Sequence, residues 1–189
     1  MVVHNSGLGH SWDLVKLDDG CWYHTDCYMD NDSANYRNFN MDDMRCRQES
    51  HEWNTTFFPA AIGKKYNYTL MSCKEIKDIY ALPQAVIDEI YKKATTFSFS
   101  FKEPFKTTDD EALAKYMADQ LSDEIGGTDK FYLFYNWTTN EKGEYVICYY
   151  ISYEEDSTNN LTDKQKEKID SKISEILTKY KWYEKMFNN

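Results

Sequence analysis

His10 and Asp26 are the two residues whose types and spacing point most directly to chemistry. A histidine held by a carboxylate can take and return a proton. With a thiol beside it, the set can carry acyl transfer: the thiolate attacks a carbonyl while the carboxylate fixes the tautomer and orientation of the imidazole. The two residues flank the loop of the stretch HSWDLVKLDDGCWYHTDCYMD, His10 to Asp30, where large residues alternate on both sides of Asp18-Asp19-Gly20, the turn chemistry of a β-hairpin. A three-residue loop at 18–20 sets Leu17 opposite Cys21 and Trp12 opposite Asp26. Strand alternation then puts His10 on the face of Trp12, making His10 and Asp26 diagonal cross-strand neighbours. A two-residue loop would shift the register by one and part them.

The five cysteines, at 21, 27, 46, 73 and 148, are the candidate nucleophiles. Cys21 sits at the turn end of the hairpin, roughly 23 Å from the level of His10 at about 3.3 Å per residue. Cys27 follows Asp26 directly and so faces the other side of the strand, and Cys148 falls in a later strand as a core residue. Cys73 is the best of the five, with Cys46 behind it. A helix is expected from Ser72, and a thiol on its first turn would have its pKa lowered by the helix dipole. The solvated character of Lys74 to Asp78 argues against a buried nucleophile there. Cys21, His24 and Cys27 are spaced by three along a strand, so their side chains alternate faces and cannot converge on zinc. No metal and no cofactor is expected.

Beyond the hairpin motif the composition is that of a folding chain, with 41% hydrophobic and 16% aromatic residues in 189. A net charge of −10 argues against nucleic acid or an anionic membrane surface as the main partner, since both require a concentrated basic face. An odd number of cysteines without framework spacing reads as reduced thiols. No apolar run approaches a membrane span and no signal peptide is visible at Met1, which leaves localisation open, with the cell surface or exterior expected only if a signal lies upstream.

The His10 to Asp26 stretch resembles the second half of the transglutaminase-like core, the papain-like thiol protease and acyl transferase family, with its pattern H-x-W-N-x-V-K-x-D-G-x-W-Y-x-x-D. Trp12, Val15, Lys16, Asp19, Gly20, Trp22 and Tyr23 agree with that pattern, and Asp13 stands where the family usually has Asn. A weaker similarity to the tail of bacterial members runs from Asn38 to Tyr68. The resemblance implies that His10 is the catalytic histidine and Asp26 the aspartate that orients it, and that His51, beside Glu52 and Trp53, is structural or lines the site. Trp12 shares the presumed site face and is divided evenly between substrate groove and core. Trp12 and His51 are therefore the candidate substrate-binding residues.

The family order is Cys, His, Asp, yet only nine residues precede His10 and none is a cysteine. The expectation is thus the C-terminal part of a thiol protease or acyl transferase acting on peptide amide bonds, inactive alone for want of its nucleophile. Its substrates would be a peptide or protein, including cell-wall peptide. The alternative is a non-catalytic binding or interaction module derived from that fold. Either way a homodimer covering the incomplete core, or a remodelled N-terminal region, is expected.

The elements that must position these groups divide the chain at about residue 70. The expected fold class is α+β: a partial transglutaminase-like antiparallel β core over 1–70, then a small α+β sandwich over 71–189 in the order α-β-α-β-β-α. Residues 29–55 read as a long ordered loop with a short helix near 41–48, its far end anchored by Phe57, Phe58 and Pro59. A linker falls near Thr69 to Leu82. Ser72 with Glu75 makes a capping box for one helix, and a second starts at Pro83. Phe97, Phe99 and Phe101 alternate with serines as a half-buried strand. A helix from Thr108 or Asp109 to Ile125 would connect it to strands 131–137 and 145–153, the first two strands forming a parallel crossover. A last helix begins at Thr162 with Ile169, Ile173, Ile176, Leu177 and Tyr180 striped along it.

Overall fold

Asp18-Asp19-Gly20 closes the first hairpin in its three-residue form. The Leu17 N–H donates to Cys21 O (3.1 Å) and the Gly20 N–H to Leu17 O (3.0 Å), with Gly20 at φ +79°, a conformation glycine adopts without strain. Asp19 braces the loop by accepting from the Cys21 N–H and from the Tyr23 hydroxyl. The computed structural model describes residues 1–5, 7, 9–31, 35–103 and 131–153, with isolated helical positions between 163 and 178.

The hairpin strands are β2 (His10–Lys16) and β3 (Trp22–Thr25), and β1 (Val2–Asn5) adds to the outer edge of β2, giving an antiparallel three-stranded sheet in the order β1-β2-β3. Alternation sends Trp12 and Leu14 inward and Ser11 and Asp13 outward. Val3, Trp12, Leu14, Met41, Cys46 and Ala61 form the core beneath this sheet.

The chain leaves β3 earlier than expected. Asp26 ends the strand and caps a short helix α1 (Cys27–Asp30), its side chain accepting from the Met29 N–H, so Cys27 is an exposed helical residue and does not face the back of a strand. Within the following loop, α2 (Asp43–Gln48) falls in the expected place, capped by Asp42. Of the expected anchor, Phe58 packs on the core, whereas Phe57 is 75% exposed.

In the second half the expected helix from Ser72 is replaced by an edge strand. After a one-turn helix α3 (Tyr68–Met71), β4 (Lys74–Ile76) pairs in parallel with β5 (Thr96–Phe101), and α4 (Leu82–Tyr91) connects them as a β-α-β unit. A helix fitted between Ser72 and Pro83 would be too short to stand on its own propensity, whereas the strand gains a ladder with β5. Ile76 and Ile79 pack against the apolar core that α4 shares with the sheet. Pro83 sits in the first turn of α4, as expected.

β6 (Phe131–Thr139) and β7 (Tyr145–Tyr153) form an antiparallel hairpin, and the sheet order is β4-β5-β7-β6. β5 and β6 both run antiparallel to β7 and are therefore parallel to each other in one sheet, as in the expected crossover, with β7 inserted between them. The expected helix at 108–125 lies outside the described residues, as does the apolar stripe of the last helix. The chain is thus α+β with one antiparallel and one mixed sheet, and among the described residues no helix is long and apolar enough to cross a membrane.

The four-stranded sheet is covered on both faces. Phe97, Phe99, Phe101, Ile147, Tyr149 and Ile151 pack with Val86, Ile87 and Ile90 of α4. The opposite face, Val146, Cys148 and Tyr150, meets Leu70 and Cys73. The serine side of β5 is accordingly buried, and Ser98 Oγ donates to Thr69 O at 2.7 Å. Thr69, placed by sequence in a linker, is buried in the contact between the halves, its hydroxyl 3.1 Å from Tyr150 OH.

Candidate active site

Strand register decides who meets whom. Asp13 pairs with Thr25, Leu14 with His24 and Lys16 with Trp22, the register of the three-residue loop, and its continuation brings His10 and Asp26 together. His10 Nε2 lies 2.5 Å from Asp26 Oδ2. His51 Nε2 reaches the same oxygen at 2.7 Å, while the other oxygen, Oδ1, accepts from the Met29 N–H at 3.1 Å.

Asp26 is 1% exposed. Burial alone would push its carboxyl pKa up, but the ring N–H groups of His10 and His51 and the Met29 amide outweigh that, and the net shift is below the usual carboxylate range. As an ionised acceptor it selects the Nε2–H tautomer of His10 and leaves Nδ1, which has no partner among the described residues, as the basic nitrogen.

His51 arrives from the end of α2. Its backbone N–H donates to Cys46 O (3.2 Å) and Ser50, in the left-handed region at φ +64°, turns the chain back toward β2. The imidazole is 5% exposed and its Nδ1 faces Glu49 O at 3.1 Å. Trp12 lies beneath both histidines. Its ring is stacked on His10 at 5.9 Å and meets His51 edge-on at 4.7 Å, and its indole N–H donates to Nδ1 of His24 at 2.9 Å.

His24 and Asp43 form a second imidazole–carboxylate pair that the sequence reading missed. His24 is fully buried, with Nε2 2.9 Å from Asp43 Oδ1 and Nδ1 accepting from Trp12, so both ring nitrogens are occupied. Burial pushes its pKa below the ordinary histidine value, partly offset by Asp43. A signal was present: the alternation that brings His10 to Asp26 also places His24, two residues before Asp26, on that face. Cys21, His24 and Cys27 do not converge, whereas His10, Asp26 and His51 offer ligand atoms within 4.8 Å of one another and are the residues that could hold a metal ion.

A pocket of about 200 Å³ opens beside this cluster, lined by His10, Trp12 and His51 with Asn5, Met29 and Ser50. Both candidate substrate-binding residues therefore reach the pocket wall, although Trp12 and His51 are themselves nearly buried. Tyr28, 77% exposed, lies over His10 at 5.7 Å between ring centroids.

None of the five cysteines lines this pocket, and all five are free thiols. Cys73 is not on a helical first turn; it lies between α3 and β4 and packs on the Val146–Tyr150 face. Cys46 and Cys148 are buried, and burial raises both thiol pKa values, that of Cys148 to about 12. These are poor thiolates. No family model, no curated protein and no solved structure matches the chain.

Proposed function

We propose that the chain carries the general-base half of a thiol acyl-transfer centre of the transglutaminase-like kind, acting on peptide amide bonds. The observation supporting this is the orientation of His10: Nε2 bound to the buried Asp26 carboxylate, Nδ1 without a partner among the described residues, and the ring on the wall of an open pocket. In this role Nδ1 takes the proton of a thiol placed in the pocket, the thiolate attacks the amide carbonyl, and the imidazolium returns the proton to the leaving amine. Asp26 fixes the tautomer and stabilises the imidazolium, His51 and Met29 N–H hold Asp26, and Trp12 supports the rings from below.

The nucleophile in this scheme is a thiol brought to the pocket by another segment or partner, so the described residues alone are expected not to turn over. The absence of any cysteine from the pocket lining favours a second reading, in which the same pocket binds a peptide without chemistry.

The two readings separate when a thiol is supplied. Asn5→Cys, Met29→Cys and Ser50→Cys each place one on the pocket wall, and alkylation by iodoacetamide as a function of pH reports its thiolate. Pairing with His10 lowers the alkylation pKa of at least one of these thiols, and His10→Ala restores it. If all three alkylate identically with and without His10, the base assignment is wrong and the binding reading stands.

A further inference from the structure

We propose that His10, Asp26 and His51 form a binding site for a divalent transition-metal ion, and that an ion seated there takes His10 out of acid–base use. The second clause rests on the base assignment above; the site itself does not.

The argument begins with His51. Its Nδ1 faces the carbonyl oxygen of Glu49 at 3.1 Å, a contact that is a hydrogen bond when the proton sits on Nδ1. Its Nε2 faces Asp26 Oδ2, also an acceptor, at 2.7 Å. In that tautomer the Nε2 lone pair is aimed at a carboxylate oxygen, a repulsion that either a second proton on the ring or a metal ion relieves. An Nδ1–H directed at a backbone carbonyl, with Nε2 left as the donor atom, is the outer contact that metal-ligating histidines commonly carry.

The other two ligands are held as firmly. Asp26 Oδ1 is occupied by the Met29 N–H, leaving Oδ2 as the ligand oxygen. His10 presents Nε2 to that same oxygen. Two imidazole nitrogens and one carboxylate oxygen suit borderline ions such as Zn²⁺, Fe²⁺ or Co²⁺ better than Ca²⁺ or Mg²⁺. Ligand bonds of about 2.0–2.2 Å require the three atoms to stand farther apart than a hydrogen bond, a small outward shift for which His10, the most exposed of the three, has room. The pocket beside them leaves further coordination positions open to water or a ligand.

Binding changes the proton inventory in a defined way. His51 gives up its Nε2 proton to solvent. The His10 proton moves from Nε2, now bound to the ion, to Nδ1. The lone pair that would serve as base is thereby consumed, and no oxidation or reduction is involved.

Zn²⁺ titrated into the intact protein against a chromophoric chelator, with imidazole NMR signals followed in parallel, tests the site. The chain has four histidines, which makes the readout internally controlled. Stoichiometric Zn²⁺ should shift the ring signals of His10 and His51 and leave those of exposed His4 unchanged, and His51→Ala should weaken binding at least tenfold. Cys27→Ser, which removes the exposed thiol next to Asp26, should leave the affinity as it was. Shifts confined to His4, affinity that survives His51→Ala, dependence on Cys27, or no stoichiometric binding would each overturn the proposal. The ring signals are read in wild type, so a His51→Ala chain that fails to fold leaves the test intact. The engineered-thiol experiment, run in chelator, stands or falls separately.

Discussion

Two histidines from different parts of the chain converge on one oxygen: His51 Nε2 lies 2.7 Å and His10 Nε2 2.5 Å from Asp26 Oδ2. The carboxylate is therefore the centre of the arrangement, and it couples His51 to His10, whose rings also lie 5.8 Å apart between centroids. Met29 N–H on the second oxygen and Glu49 O on the far nitrogen of His51 leave that geometry little freedom. Glu49 also ties the site to the second sheet, since its carboxylate pairs with Arg45 and Arg37 and accepts from Asn136 Nδ2 of β6.

Asp26 should leave a signature in the acid limb of stability. Its folded pKa is lowered while its unfolded value is about 3.9, so its stabilising contribution is complete above the unfolded value and lost as pH falls through the folded one. Asp30 works in the opposite direction: burial raises its pKa, although the Asn38 donors lower it in part, so its proton binding favours the folded state as pH falls. Urea unfolding of wild type and Asp26→Asn from pH 7 to pH 3 isolates the first effect. The variant should be less stable at pH 7, by about 1–3 kcal/mol for donors left without their acceptor, and the gap should close toward the acid end. A gap independent of pH would mean that the carboxylate charge plays no part.

Trp12→Phe keeps an aromatic ring beneath His10 but removes the indole N–H from His24 Nδ1. That nitrogen is fully buried and would be left without a donor, at a cost of about 1–3 kcal/mol in urea unfolding. His24 should then change its ring NMR signature while His4 does not. An unchanged His24 spectrum would show that the indole does not set its tautomer.

How far the sequence could be read depended on how local each feature is. The hairpin register follows from Asp18-Asp19-Gly20 and strand alternation, so the meeting of His10 and Asp26 could be anticipated from residues close together in the chain. The part of His51 could not be derived that way: it depends on Ser50 adopting a left-handed conformation without being glycine. Asp43 and Glu49 lie on and just after a short helix whose orientation is set by tertiary packing. The error at Ser72 has the same origin, because the Ser-x-x-Glu pattern is local while the partner that makes β4 a strand, β5, is remote in sequence.

That correction has its own test. Ser72 is exposed and precedes a strand, so Ser72→Ala should change stability by no more than about 0.5 kcal/mol, the range of ordinary surface substitutions. Loss of a helix N-cap would instead cost about 1 kcal/mol. Thermal unfolding of the single variant separates a capping role for Ser72 from none.

The contact between the halves should make them unfold together. Arg45, 2% exposed, donates from Nε to Tyr150 OH at 3.3 Å, stacks over the Tyr150 ring at 5.1 Å and pairs with Glu49, while Tyr150 OH also meets Thr69 Oγ1. Tyr150→Phe removes a hydroxyl with two buried partners and should cost about 1–3 kcal/mol. Arg45→Met takes the buried cation from the Glu49 carboxylate, 6% exposed, leaving it Arg37 and the Asn136 amide, and should cost more, about 3–5 kcal/mol. Because Tyr150 and Arg45 share one network, the double variant should lose less than the sum of the two. Both single variants should lower the urea midpoint of one transition seen equally by tryptophan fluorescence, whose five reporters include Trp12 and Trp22 of the first sheet and Trp137 of the second, and by circular dichroism. Two resolved transitions, with only one moved by Arg45→Met, would show that the sheets fold independently and that Glu49 does not couple the second sheet to His51.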